Sequence, residues 1–101
     1  MKKTIELSTK KKVDIKEMTI DEVDECQDML ITDMKDGVIT NVRNMSKART
    51  AWLRKGIAGG DFKAFKKESN GDVSDSVLKQ LTEDEKNELS LLIQEHQKLG
   101  E

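Results

Sequence analysis

Two short motifs determine where helices can begin in this chain. Residues 19–22 and 82–85 read TIDE and TEDE, and each places a threonine three residues before a glutamate. This is the capping-box pattern, in which the threonine hydroxyl and the glutamate carboxylate each accept a hydrogen bond from the other's backbone N–H group. Because apolar residues recur at helical spacing after both motifs, the sequence predicts a helix over residues 20–35 and a last helix from 82 to Gly100.

Two further helices are expected between these motifs. Met45, Trp52 and Leu53 belong to an apolar stripe that ends at Gly56, which predicts a helix over about 41–55. A second cluster of aliphatic residues predicts a short helix within 73–81.

The segments between these helices carry turn and breaker residues. Gly37 is expected to end the first helix, and the sequence IAGG at residues 57–60 is expected to be a flexible connector. The stretch ESNGD at residues 68–72 has turn chemistry, which predicts a mobile loop.

The N-terminal segment shows the alternation of half-buried strands. Ile5 and Leu7 alternate with polar residues, and so do Val13 and Ile15 after a polar stretch at 8–12. The pattern predicts a β-hairpin over residues 1–18. Since a two-stranded hairpin is marginally stable alone, we expect it to pack on a helix.

Together these elements predict one small domain over residues 1–101. Its expected class is α+β and mostly α, with a two-stranded N-terminal hairpin followed by three to four helices over 19–101. Leu, Ile, Val and Phe make up 24 of 101 residues, which exceeds the roughly 20% below which disorder is expected. The chain therefore has enough apolar residues for a modest core.

Composition also excludes several classes of protein. No apolar run approaches the roughly 18 residues of a membrane span, and we expect no secretory signal because the N-terminus lacks an apolar stretch. One cysteine and one histidine cannot build a zinc site. A single cysteine also cannot form an internal disulfide, which favours a reducing, cytosolic compartment.

No set of residues predicts catalysis. His96 lies on the apolar stripe of the last helix, and Cys26 lies on the expected buried face of an acidic helix, where a thiol is unreactive. The glycines of residues 56–60 lack the Gly-Lys-Ser/Thr ending of a phosphate loop. We therefore expect no enzymatic activity, no cofactor and no metal site.

Charge alternates in blocks along the chain. Residues 1–20, 21–37, 38–67 and 68–101 carry net charges of +3, −6, +7 and −6, which sum to the formal net charge of −2. Two interpretations are open. Each block is a solvated face that lies beside a block of opposite charge in the same chain, or it binds a block of opposite charge on a neighbouring copy or a partner.

The basic third block contains the candidate binding residues. Its basic side chains could bind the phosphates of a nucleic acid. Together with the only tryptophan they could instead form a protein-binding surface, since Trp and Arg are enriched at binding hot spots. The acidic flanking blocks and a pI of about 5.5 disfavour nucleic acid. We therefore predict a partner-binding surface formed by Arg43, Lys47, Arg49, Trp52 and Arg54.

Three stretches carry a resemblance to a known family. The sequences KTIEL at residues 3–7, VDIKEMTIDE at 13–22 and KARTAWLRKG at 47–56 resemble small tail assembly chaperones of long-tailed, siphovirus-like bacteriophages. The resemblance implies a helical, non-enzymatic protein of the host cytoplasm that binds the tape measure protein, recruits tail tube protein and can self-associate. Two alternatives stay open, a structural virion component of tail, neck or capsid and a small nucleic-acid-binding regulator.

Overall fold

The computed structural model describes residues 2–99. Over these residues the chain forms five strands and four helices. In chain order they are β1 (Lys3–Glu6), β2 (Lys12–Ile15), α1 (Ile20–Met29), β3 (Ile31–Lys35), β4 (Val38–Arg43), α2 (Met45–Gly56), β5 (Ile57–Gly60), α3 (Asp75–Leu78) and α4 (Glu83–Leu99). The expected end of the last helix at Gly100 lies outside the described residues.

The N-terminal hairpin belongs to a three-stranded sheet. β1 pairs with β2, and β2 also pairs antiparallel with β5, so that Val13 lies opposite Gly60 and Ile15 opposite Ile57. The prediction of a flexible connector at residues 57–60 is therefore wrong. Gly60 allows this pairing because its φ is +128° and a Cβ there would lie 2.6 Å from the carbonyl oxygen of Lys12.

Residues 31–43 form a second hairpin, although residues 31–35 and 41–43 were predicted to be helical. β3 and β4 pair antiparallel around a two-residue turn in which Asp36 and Gly37 have φ values of +53° and +77°. Two consecutive positive φ angles are typical of a type I′ turn, which favours Asp-Gly and continues the twist of a hairpin. Thr40 forms a bulge, because Asp33 lies opposite Asn41 while the next residue of β3 lies opposite Ile39.

The second hairpin and β5 overturn the predicted fold class. The first helix ends at Met29 rather than at residue 35, and the second begins at Met45 rather than at about 41. The described residues form a mixed α/β fold with two sheets, not a mostly helical fold with one two-stranded hairpin.

The core is built around α2. Helices α1 and α4 both pack on it, and β5 continues directly from its last residue. Gly56 lets α4 approach closely, because a Cβ at this position would lie 2.5 Å from Cγ2 of Ile93. The largest fully buried side chains come from the first sheet, the four helices and the segments that flank them, and they are Leu7, Val13, Ile15, Cys26, Leu53, Ile57, Val73, Val77, Leu89 and Ile93.

The second capping box is confirmed and also holds the first hairpin. The N–H of Glu85 donates to Oγ1 of Thr82 at 3.1 Å, and the N–H of Thr82 donates to Oε1 of Glu85 at 2.8 Å. The other carboxylate oxygen of Glu85 accepts a hydrogen bond of 2.5 Å from the hydroxyl of Thr9. The Thr9 hydroxyl and the Thr82 backbone together hold the pKa of Glu85 below its usual value.

The segment 68–72 forms a turn closed by backbone hydrogen bonds. The N–H of Glu68 donates to the carbonyl of Asp72 at 2.7 Å, and the N–H of Gly71 donates to the carbonyl of Glu68 at 2.9 Å. Lys67 and Val73 form an isolated β-bridge on either side of it. The mobility expected for this loop stays a prediction.

The first capping box is also confirmed and generates a stability prediction. The N–H of Glu22 donates to Oγ1 of Thr19 at 3.2 Å, and the N–H of Thr19 donates to Oε1 of Glu22 at 2.9 Å.

Thr19→Ala removes the hydroxyl acceptor and should lower the free energy of unfolding by about 1 kcal/mol in urea denaturation. Thr19→Ser keeps the hydroxyl and is the matched control. Equal stability of the Ala variant and the native chain would contradict this role of the cap.

Candidate protein-interaction surfaces

A groove runs between α1 and α4 above the single tryptophan. Trp52 of α2 forms its floor and is only 8% exposed. Two adjoining cavities of about 480 and 660 Å³ share Trp52, Gln27 of α1 and both Gln94 and Lys98 of α4 as lining residues. The groove therefore has an apolar floor, amide groups on both walls and an ammonium group at its edge.

Exposed apolar side chains line both cavities of this groove, together with several charged and polar ones. Leu30, Met45 and Leu91 line the larger cavity with exposures of 43%, 65% and 61%. Ile20 lines the smaller cavity and is 80% exposed. Exposed apolar side chains that line a concave site are typical of surfaces that bind proteins or ligands.

Arg49 lies at the end of the groove near the start of α2 and is held within the molecule. Its side chain is 19% exposed, and Nη1 lies 2.7 Å from Oε2 of Glu83 and 3.1 Å from Oδ1 of Asn87. The guanidinium lowers the pKa of Glu83 through this hydrogen bond. Its Nε is buried and has no hydrogen-bond acceptor in the described part of the chain.

The five residues predicted as one binding surface fall into three places. Trp52 and Arg49 line the groove, whereas Lys47 and Arg54 line a separate cavity on another side of α2. Nη1 of Arg54 donates to the carbonyl of Val73 at 2.8 Å, and Nη2 pairs with the carboxylate of Asp75, whose pKa it lowers.

Arg43 lies apart from the other four, on β4. Its Nε and Nη2 form a two-pronged pair with the carboxylate of Asp33 at 2.9 and 3.0 Å. The structure therefore brings only Arg49 and Trp52 together at the groove.

The hairpin of β3 and β4, hereafter the β-arm, is a surface that the sequence analysis missed. Its two strands form a sheet of their own, and they contact each other far more than they contact the other elements. Cross-strand partners share a face, so one face carries only uncharged residues, namely Thr32, Met34, Ile39 and Val42. The Asp36-Gly37 turn could have revealed the arm from sequence.

The remaining chemistry-bearing groups do not form a site. Cys26 is fully buried, and burial raises the pKa of its thiol to about 11. Within residues 2–99, no three His, Cys, Asp or Glu side chains are placed to hold a metal ion. In the same range, no helix combines the length and apolar character needed to cross a membrane.

Comparison with known proteins identifies no relative of this chain. No family model, curated protein or solved structure matches this chain.

Charge reversal at Arg49 and at Lys47, two basic residues of α2, should affect the stability of the protein differently. Arg49→Glu puts a carboxylate beside Glu83 at a site that is 19% exposed, and it should lower the free energy of unfolding by about 2 kcal/mol. Lys47→Glu, on an exposed position of the same helix, should change it by less than about 0.5 kcal/mol. Urea denaturation followed by Trp52 fluorescence measures both. Equal stability of the two variants would contradict a structural role for Arg49.

Proposed function

We propose that this protein is a tail assembly chaperone of a long-tailed bacteriophage. It acts in the host cytoplasm, binds apolar segments of the tape measure protein, brings tail tube protein to them and catalyses no reaction. The groove between α1 and α4, with its tryptophan floor and exposed apolar rim, is the observation that carries this proposal. The resemblance of residues 3–7, 13–22 and 47–56 to such chaperones supplies the class of client.

The groove suits an amphipathic helix of the client. Leu30, Met45 and Leu91 offer apolar surface whose burial is worth about 25 cal/mol per Å². Helices that bind in grooves place apolar side chains at helical spacing against such a surface. The amides of Gln27 and Gln94 on the two walls can hydrogen-bond polar groups at the edges of the bound helix.

The charges of α2 support this proposal over nucleic-acid binding. Arg49, Arg54 and Lys55 each form ion pairs with acidic residues of the same chain, including Glu25 and Asp72 for Lys55. Cations engaged in this way are less available to phosphates. A structural virion protein could use the same groove, but it would persist in the mature particle.

Co-expression with the tape measure protein of the same genome tests the proposal. Met45→Asp and Leu91→Asp, made together, place two charges on the rim and should weaken co-purification at least about tenfold. Because both side chains are more than 60% exposed, the variant should keep its circular dichroism spectrum and melting temperature. Val38→Asp is the matched control, since Val38 is 64% exposed but lies on the β-arm outside the groove.

Two results would contradict the proposal. One is a folded double variant that binds the tape measure protein as tightly as the native chain. The other is detection of this protein by mass spectrometry in purified virions at the copy number of a structural component, which would favour the virion alternative.

A further inference from the structure

The β-arm is incomplete as an isolated element. A two-stranded hairpin is marginally stable in water, and it needs either a third strand on a sheet with a hydrophobic face or a helix to pack on. The arm has that face but only two strands, and among residues 2–99 no other strand pairs with either of its edges. Met34 and Ile39 on this face are 63% and 59% exposed.

The edge formed by β4 is the one suited to pairing. In the full-length antiparallel pairing of two β3 strands, Asp33 of each copy would face Asp33 of the other, which is unfavourable. β4 has the sequence VITNVR, and its single charge is Arg43 at the end. It contains neither the lysine nor the proline with which natural proteins commonly block an exposed edge.

The register of the arm determines which backbone groups the β4 edge offers. The two-residue turn at 36–37 makes its flanking pair a hydrogen-bonded one, so the next pair, Met34 with Ile39, is non-hydrogen-bonded. The N–H and C=O groups of Ile39 therefore point away from β3. The pair of Thr32 and Val42 beyond the bulge is of the same kind, which directs the backbone groups of Val42 to the same open edge.

These groups make β4 complementary to itself. When two β4 strands pair antiparallel, Ile39 of each copy can lie opposite Val42 of the other, and all four residues present backbone groups to the interface. Both residues belong to the uncharged face, so the combined sheet keeps one continuous apolar face. In the same register, Arg43 lies opposite Val38 of the second copy, so the one charged residue of β4 does not face a like charge.

We infer that β4 is a dimerisation edge whose partner is β4 of a second copy of this chain. Two arms join into a four-stranded antiparallel sheet with the order β3-β4-β4-β3. The inference depends on the register and charges of the arm and is independent of the proposed client.

Sedimentation equilibrium of the full chain over a range of concentrations tests this inference. The native chain should show a monomer–dimer equilibrium. Ile39→Lys and Val42→Glu should each weaken dimerisation at least about tenfold, because every dimer then contains two charges opposite apolar side chains. An equimolar mixture of the two variants should restore the dimer, since the introduced ammonium of one chain faces the introduced carboxylate of the other.

Both side chains are exposed on the arm, so each variant should keep the melting temperature of the native monomer. A native chain that stays monomeric at millimolar concentration contradicts the inference, and so does a variant mixture that associates no better than either variant alone. A monomeric native chain whose binding to the tape measure protein is lost in both single variants would assign the edge to the client and would also overturn dimerisation.

Discussion

The packing of both α1 and α4 on α2 is the constraint on which the rest of the structure depends. Gly56 at the end of α2 leaves room for Ile93 of α4, and no larger residue fits without displacing that side chain. The chain then enters β5 directly at Ile57, which is fully buried and pairs with Ile15. One short segment thus joins the helices to the first sheet.

This arrangement has two consequences for binding. Because α1 and α4 both pack on α2, a groove stays open between them, with Trp52 buried at its floor and exposed apolar side chains among the residues that line it. The β-arm connects α1 to α2 without joining the core, and its apolar residues stay exposed. The two surfaces differ in kind, since the groove offers side chains to a helix and the arm offers a strand edge.

Local signals could be interpreted from the sequence, and long-range pairings could not. Both capping boxes depend on residues three positions apart, and both are present. The sequence of β5 is typical of a flexible connector, because glycines such as Gly59 and Gly60 have a low propensity for strands. They form a strand here because β2, more than 40 residues away in sequence, pairs with them. In the arm, Ile31 and Met34 are three residues apart and fit a helical stripe, whereas the Asp36-Gly37 turn is the local signal for a hairpin. Of the predicted site, Arg49 and Trp52 meet because they are three residues apart on one helix.

Hydrogen exchange measured residue by residue in dilute solution tests most directly whether the β-arm lies outside a cooperative core. The amides of β2, β5 and α4 should exchange only through global unfolding, whereas those of β3 and β4 should exchange orders of magnitude faster through local opening. Raising the protein concentration should slow exchange at Ile39 and Val42, whose amides point to the open edge. Protection of the arm equal to that of β2 in the dilute monomer would contradict the account.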